Sequence, residues 1–122
     1  MARILVVDDE PEVCNMLKKF LTKKGHEVYT ALDGEEALSA LKKERPHIVL
    51  LDIIMPKMNG IECLRQIREI DKEVGVIMIT AVKQEEVGKQ AIKLGAFDYI
   101  TKPLSLHYLE DCLMVKLFQM TA

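Results

Sequence analysis

Residues capable of metal or phosphoryl chemistry stand at four places in this chain: the adjacent acids Asp8 and Asp9, the carboxylate Asp52, the hydroxyl of Thr80 and the ammonium of Lys102. Asp52 follows the apolar run Ile48-Val49-Leu50-Leu51 and precedes the breaking residues Met55-Pro56 and Asn59-Gly60. An ionised carboxylate is costly to bury, so Asp52 is expected at a strand's end, as a nucleophile at the mouth of a sheet. Carboxylates brought close together raise a pKa or attract a cation. The donors on offer are oxygens, without histidine or cysteine at ligand spacing, which suits a hard ion such as Mg²⁺. That ion favours one or two carboxylates plus a phosphate, and aspartyl phosphates are an established covalent strategy. Lys102 can then neutralise phosphoryl charge, and the Thr80 hydroxyl can donate to a phosphoryl oxygen. Each residue also has a plainer use. Asp8, Asp9 and Asp52 can cap a turn or helix, Lys102 can be a surface lysine, and Thr80 can end a strand.

The elements that must position these groups alternate. Residues 3–7 form an apolar run ended by Asp8-Asp9-Glu10-Pro11, and proline suits the first turn of a helix. Val13, Met16, Leu17, Phe20 and Leu21 then recur at helical spacing up to Gly25. A strand over 26–31 follows, then a helix opened by Asp33 with Glu36, a capping-box pair, and closed before Pro46. Residues 48–51 are the third strand, and Asn59 with Glu62 opens the next helix. A fourth strand over 76–79 ends at Thr80. A helix over 85–94 carries an interior glycine, Gly88, which makes it the least secure. Residues 97–100 read as a fifth strand, and Ser105 can cap a last helix containing Leu106, Leu109, Leu113 and Leu117. Cys112, Phe118 and Met120 widen its apolar surface, which suits either packing on the sheet or a partner or dimer face. Strand–helix alternation implies a parallel sheet covered on both faces. Ligands of such sheets bind beyond the carboxyl ends of the strands, where Asp8, Asp9, Asp52, Thr80, Thr101 and Lys102 fall.

Length and composition agree with one globular domain over residues 1–122, with 49% hydrophobic and 30% charged residues. The net charge of −2 gives no basic balance for nucleic-acid binding. The opening apolar run is too short for a signal peptide and nothing approaches a membrane span, so a cytoplasmic protein with no membrane partner is expected. Cys14, Cys63 and Cys112 lack ligand spacing and read as reduced, packed thiols. His26, His47 and His107 have no partner at metal-binding spacing.

Taken together, Ile4-Leu5-Val6-Val7-Asp8-Asp9-Glu10, Leu51-Asp52-Ile53-Ile54-Met55-Pro56-Lys57-Met58-Asn59-Gly60, Ile77-Met78-Ile79-Thr80-Ala81 and Gly95-Ala96-Phe97-Asp98-Tyr99-Ile100-Thr101-Lys102-Pro103 resemble the receiver domain of bacterial two-component response regulators. The resemblance covers essentially the whole chain. It implies a flavodoxin-like three-layer (β/α)5 fold with strand order 2-1-3-4-5. It implies a signalling switch that catalyses its own phosphotransfer and autodephosphorylation and turns over no metabolite. Asp52 would accept a phosphoryl group from a sensor histidine kinase or phosphotransfer protein. Asp8, Asp9, Asp52 and the Ile54 carbonyl would hold Mg²⁺, with Asp8 acting mainly through water. Thr80 and Lys102 would hold phosphoryl oxygens, Lys102-Pro103 would be a cis peptide, and Tyr99 would be an aromatic that turns inward as Thr80 moves. The 84–94 helix, 97–100 strand and 105–119 helix would be the surface for an output partner or homodimer. The family includes both stand-alone receivers and receivers joined to further domains.

Two other readings fit less well. A phosphatase resembling the haloacid dehalogenase family needs a second acid two residues after its nucleophile, where this chain has Ile54. A flavin carrier needs a phosphate cradle after the first strand, where this chain has Asp8-Asp9-Glu10-Pro11, acidic and without glycine. The apolar Ile54 and Val82 stand where some relatives carry groups that help position the attacking water, so slow dephosphorylation is expected.

Overall fold

The computed structural model describes residues 2–121. Five strands and five helices alternate: β1 (Arg3–Val7), α1 (Pro11–Lys23), β2 (Glu27–Ala31), α2 (Gly34–Glu44), β3 (Ile48–Leu51), α3 (Gly60–Ile70), β4 (Gly75–Thr80), α4 (Glu85–Lys93), β5 (Asp98–Thr101) and α5 (Leu106–Thr121). The strands form one parallel sheet in the order β2-β1-β3-β4-β5. This is the flavodoxin-like three-layer fold expected from the resemblance.

Central strands buried on both faces must be apolar at every position, and their side chains alternate between two cores. Leu5, Val7, Val49, Leu51, Val76 and Met78 face α2, α3 and α4, against Ala37, Leu41, Leu64, Ile67 and Ala91. Ile4, Val6, Ile48, Leu50, Ile77 and Ile79 face α1 and α5, against Leu17, Leu21, Leu109 and Leu113. No described helix is long and apolar enough to cross a membrane.

The caps follow the local chemistry. Asp33 accepts the Glu36 N–H at 2.8 Å, and the Glu36 carboxylate accepts the Leu32 N–H at 3.0 Å. The second pair closes only half a box. Asn59 accepts the Glu62 N–H at 3.0 Å, but the Glu62 carboxylate turns to Arg65 and Gln66 instead. Gly25 and Gly95 follow α1 and α4 with φ of 92° and 104°, the left-handed conformation that favours glycine.

Several boundaries differ from the sequence reading by one or two residues: β2 begins at Glu27 rather than His26, and α5 spans Leu106–Thr121 rather than 105–119, Ser105 standing before its first turn. β4 begins at Gly75, because its N–H donates to the His47 carbonyl, and α4 ends at Lys93. β5 spans Asp98–Thr101 rather than 97–100: the Phe97 N–H donates to Val76, and residue pairing begins with Ile77 opposite Asp98. Met16 stands at the spacing of the buried stripe of α1. It is exposed, and Cys14 takes the inward position with its thiol on the Asp8 carbonyl at 3.3 Å.

Candidate functional site

Strand register brings the two key carboxylates together. Val7 and Leu51 are paired neighbours on β1 and β3, so Asp8 and Asp52, each one residue further on, emerge side by side. Both are buried, at 3% and 5% exposure. Thr80 and Thr101 pair at the ends of β4 and β5, and the Lys102 N–H donates to the Thr80 carbonyl at 2.8 Å. The peptide between Lys102 and Pro103 is cis.

The Lys102 ammonium lies between the carboxylates, donating to Asp8 Oδ2 at 3.0 Å and to Asp52 Oδ2 at 3.2 Å. Glu10 stands further off, with Oε1 at 3.9 Å from the same ammonium. Burial pushes the Asp8 carboxyl above its ordinary pKa, against the downward pull of the Glu10 N–H and Lys102. Burial alone would lower Lys102, but its bonds to Asp8 and Asp52 hold it above the ordinary lysine value. The other Asp52 oxygen, Oδ1, accepts the Ile54 N–H at 3.2 Å.

Asp9 is exposed on the rim. Carboxylate oxygens of Asp8, Asp9 and Glu10 lie within 4.8 Å of one another, a group that could hold a metal ion. Glu10 was not singled out in the sequence, although its place beside two acids was the available signal. Lys102 joins Asp52 to this group by bridging it to Asp8. The donor set consists of oxygens, which fits a hard divalent cation.

Thr80 and Tyr99 are linked through Val82, which both hold. The Thr80 hydroxyl accepts the Val82 N–H at 3.3 Å, and the Tyr99 hydroxyl donates to the Val82 carbonyl at 2.7 Å. Thr80 is fully buried, and the Tyr99 ring is half-buried beside Gly88, where an added Cβ would lie 3.5 Å from Tyr99 Cδ2. The Ile54 side chain is 57% exposed beside the site.

One residue that fixes the site reads in the sequence only as a chain breaker. A Cβ on Gly60 would lie 2.1 Å from the Asp52 carbonyl oxygen. The Gly60 N–H donates to the Ile53 carbonyl at 2.8 Å, so the start of α3 is pressed onto the backbone of the central carboxylate.

A family model described as response regulator receiver domain matches residues 4–113. The chain belongs to that family. This receiver is 44% identical over 104 residues to the alkaline phosphatase synthesis transcriptional regulatory protein PhoP of Bacillus subtilis, covering 84% of this chain and 43% of that one. It thus spans less than half the length of the curated relatives it matches. Among solved structures, the receiver superposes on a two-component response regulator from Clostridium difficile with a TM-score of 0.96 and 26% identity, covering 100% of both chains. It superposes on a chain of the CheX-CheY-BeF3-Mg+2 complex from Borrelia burgdorferi with a TM-score of 0.90 and 39% identity, covering 94% of this chain and 88% of that one. Membership makes the receiver a signalling module of two-component regulation, which sets aside the phosphatase and flavin-carrier readings.

Proposed function

We propose that residues 1–122 form a single receiver domain whose phosphoacceptor is Asp52, and whose state is read out through Thr80, Val82 and Tyr99. The observation that carries this reading is the Lys102 ammonium held between Asp8 and Asp52, at 3.0 and 3.2 Å. This supports a nucleophilic carboxylate, an acidic group for a cation and a positive charge brought together from three strand ends.

Asp52 attacks the phosphorus of a phosphohistidine on a sensor histidine kinase or phosphotransfer protein. The new O–P bond forms as the P–N bond breaks, and the imidazole leaves with the electron pair and takes up a proton. Asp8, Asp9, Asp52 and the Ile54 carbonyl would hold Mg²⁺, which supplies charge neutralisation at the phosphoryl oxygens. The related Borrelia burgdorferi structure is a complex with Mg²⁺, which supports this choice of ion. Lys102 leaves the carboxylates to pair with phosphoryl oxygen, and the Thr80 hydroxyl turns to donate there. The new group brings roughly −1.5 to −2 charges and strong acceptors. Once Thr80 turns, its hydroxyl is lost to the Val82 N–H, which frees the turn that Tyr99 also holds. The surface of α4, β5 and α5 then changes for an output partner or a second copy. The receiver catalyses its own dephosphorylation as well, slowly, because Ile54 and Val82 offer no side-chain polar group to an attacking water. The expected setting is cytoplasmic.

The test is incubation with Mg²⁺ and a small acyl phosphate, followed by intact mass measurement. The protein gains one phosphoryl group, and Asp52→Asn does not. Equal labelling of that variant would overturn the assignment, and a phosphoryl half-life of seconds would overturn the slow return.

A further inference from the structure

α4 is the least embedded helix of this fold, with Ala91 its one buried residue among those described. Its two ends are held by different chemistry. The turn before it is held at Val82 by the neutral hydroxyls of Thr80 and Tyr99, at 3.3 and 2.7 Å. The turn after it is held by a cation. Arg68, in the last turn of α3, donates through Nη2 to the Gly95 carbonyl at 2.7 Å. Through Nη1 it donates to the Val74 carbonyl at 2.6 Å and the Asp71 carbonyl at 3.3 Å. One guanidinium therefore ties together the end of α3, the segment leading into β4 and the turn leaving α4. The fit is close, since a Cβ on Gly95 would lie 2.7 Å from Arg68 Nε. Among the described residues Arg68 makes no ion pair, so the fork is used on backbone carbonyls. Charge-assisted bonds of this kind hold more firmly than neutral ones, and arginine stays charged when half-buried.

We propose that Arg68 is the pivot of the switch: activation moves the N-terminal end of α4 about a C-terminal end that Arg68 fastens to α3. This rests on the phosphoacceptor reading of Asp52. Arg68 touches neither the acidic site nor Tyr99 and acts as a positioning residue. Motion is therefore graded along α4, greatest at the 81–84 turn and least at Gly95. Loss of the fork would let the whole helix shift, and the displacement at Tyr99 would no longer be defined.

The experiment is residue-resolved amide hydrogen exchange on the full chain, with and without Mg²⁺ and beryllofluoride. In the parent protein the activator changes exchange over residues 82–90 and leaves Gly95 and Ala96 unchanged. In Arg68→Met, exchange at Gly95 and Ala96 rises roughly tenfold before activation. The activator's effect then spreads through residues 91–97. Arg68→Lys, whose compact ammonium lacks the two-nitrogen span by which the guanidinium reaches Val74 and Gly95, falls between the two and keeps the comparison if the methionine variant folds poorly. Uniform change along α4 in the parent, or exchange at Gly95 and Ala96 unaffected by both substitutions, would overturn the pivot. Acyl-phosphate labelling is run beside it. Labelling of Asp52 with a uniform exchange pattern rejects the pivot alone, whereas absence of labelling rejects the phosphoacceptor reading and the pivot with it.

Discussion

Lys102 is the residue on which the acidic site depends, because Asp8 and Asp52 are both buried and would otherwise face each other unscreened. Removing one partner of a buried charge group leaves the others uncompensated. Lys102→Met is expected to destabilise the fold by roughly 2–3 kcal/mol in urea unfolding without divalent ions, and millimolar Mg²⁺ should recover part of that loss. Gly60 makes a different demand. Its missing Cβ is what lets α3 start against the Asp52 carbonyl, so Gly60→Ala should cost about 2–3 kcal/mol by forcing backbone apart. Equal unfolding midpoints for that variant and its parent would show that α3 can retreat freely. At this scale the sequence identified which groups stand at strand ends but not how they meet. Lys102 and Asp8 are 94 positions apart, and their bond is a product of register and sheet order. The role of Gly60 was hidden for the same reason: an Asn-Gly pair reads as a cap and a breaker whether or not a carbonyl presses on it.

At the scale of elements, reading worked best where burial was complete. β1 and β3 run over the expected residues because a strand covered on both faces has to be apolar throughout. β5 lies at the sheet edge, includes Asp98 and Thr101, and was misplaced by one residue because apolarity is a poor guide there. The link from β5 to α5 was equally invisible: Tyr108 Oη and Cys112 Sγ both donate to Asp98 Oδ2, at 2.9 and 3.1 Å. That carboxylate pushes the Cys112 thiol, already raised by burial, up to about 11. α5 also leaves Met114, Val115 and Phe118 exposed, Phe118 at 75%. Phe118→Ser should therefore change the melting temperature little. α4 gives the opposite expectation. A Cβ at Gly88 meets only the Tyr99 ring at ordinary contact distance, so Gly88→Ala should stabilise the protein by up to about 1 kcal/mol through helix propensity. A loss of stability would mean that the Tyr99 ring needs the space.

The whole molecule has two poles. At the carboxyl ends of the strands lie the acids, where Mg²⁺ binding should raise the melting temperature through ordinary linkage. At the opposite end two histidines hold the entry to β1: His26 Nδ1 accepts the Ala2 N–H at 3.2 Å and His47 Nδ1 accepts the Arg3 N–H at 2.9 Å. Both rings must be neutral at Nδ1 to accept, and burial lowers both below the ordinary value of 6.5, His47 further through Arg3. Because the unfolded chain binds these protons more readily, the stability they contribute is complete above 6.5 and is lost as pH falls below it. Thermal melts at successive pH values should show that decline, and His26→Gln with His47→Gln should flatten it. The fold as a whole was legible because alternation and hydrophobic runs dictate a covered parallel sheet. The histidine clasp was not, since a histidine's acceptor role depends on which backbone lies opposite.

Val82 bonds both Thr80 and Tyr99 through its main chain, its N–H on one side and its carbonyl on the other. Any amino acid except proline offers those same two groups. Those two bonds therefore leave the residue type open, and it is packing that asks for an apolar one, since the Val82 side chain lies partly buried against the core. On the proposed mechanism, substitutions at position 82 change the duration of a signal while the two bonds that carry it stay in place.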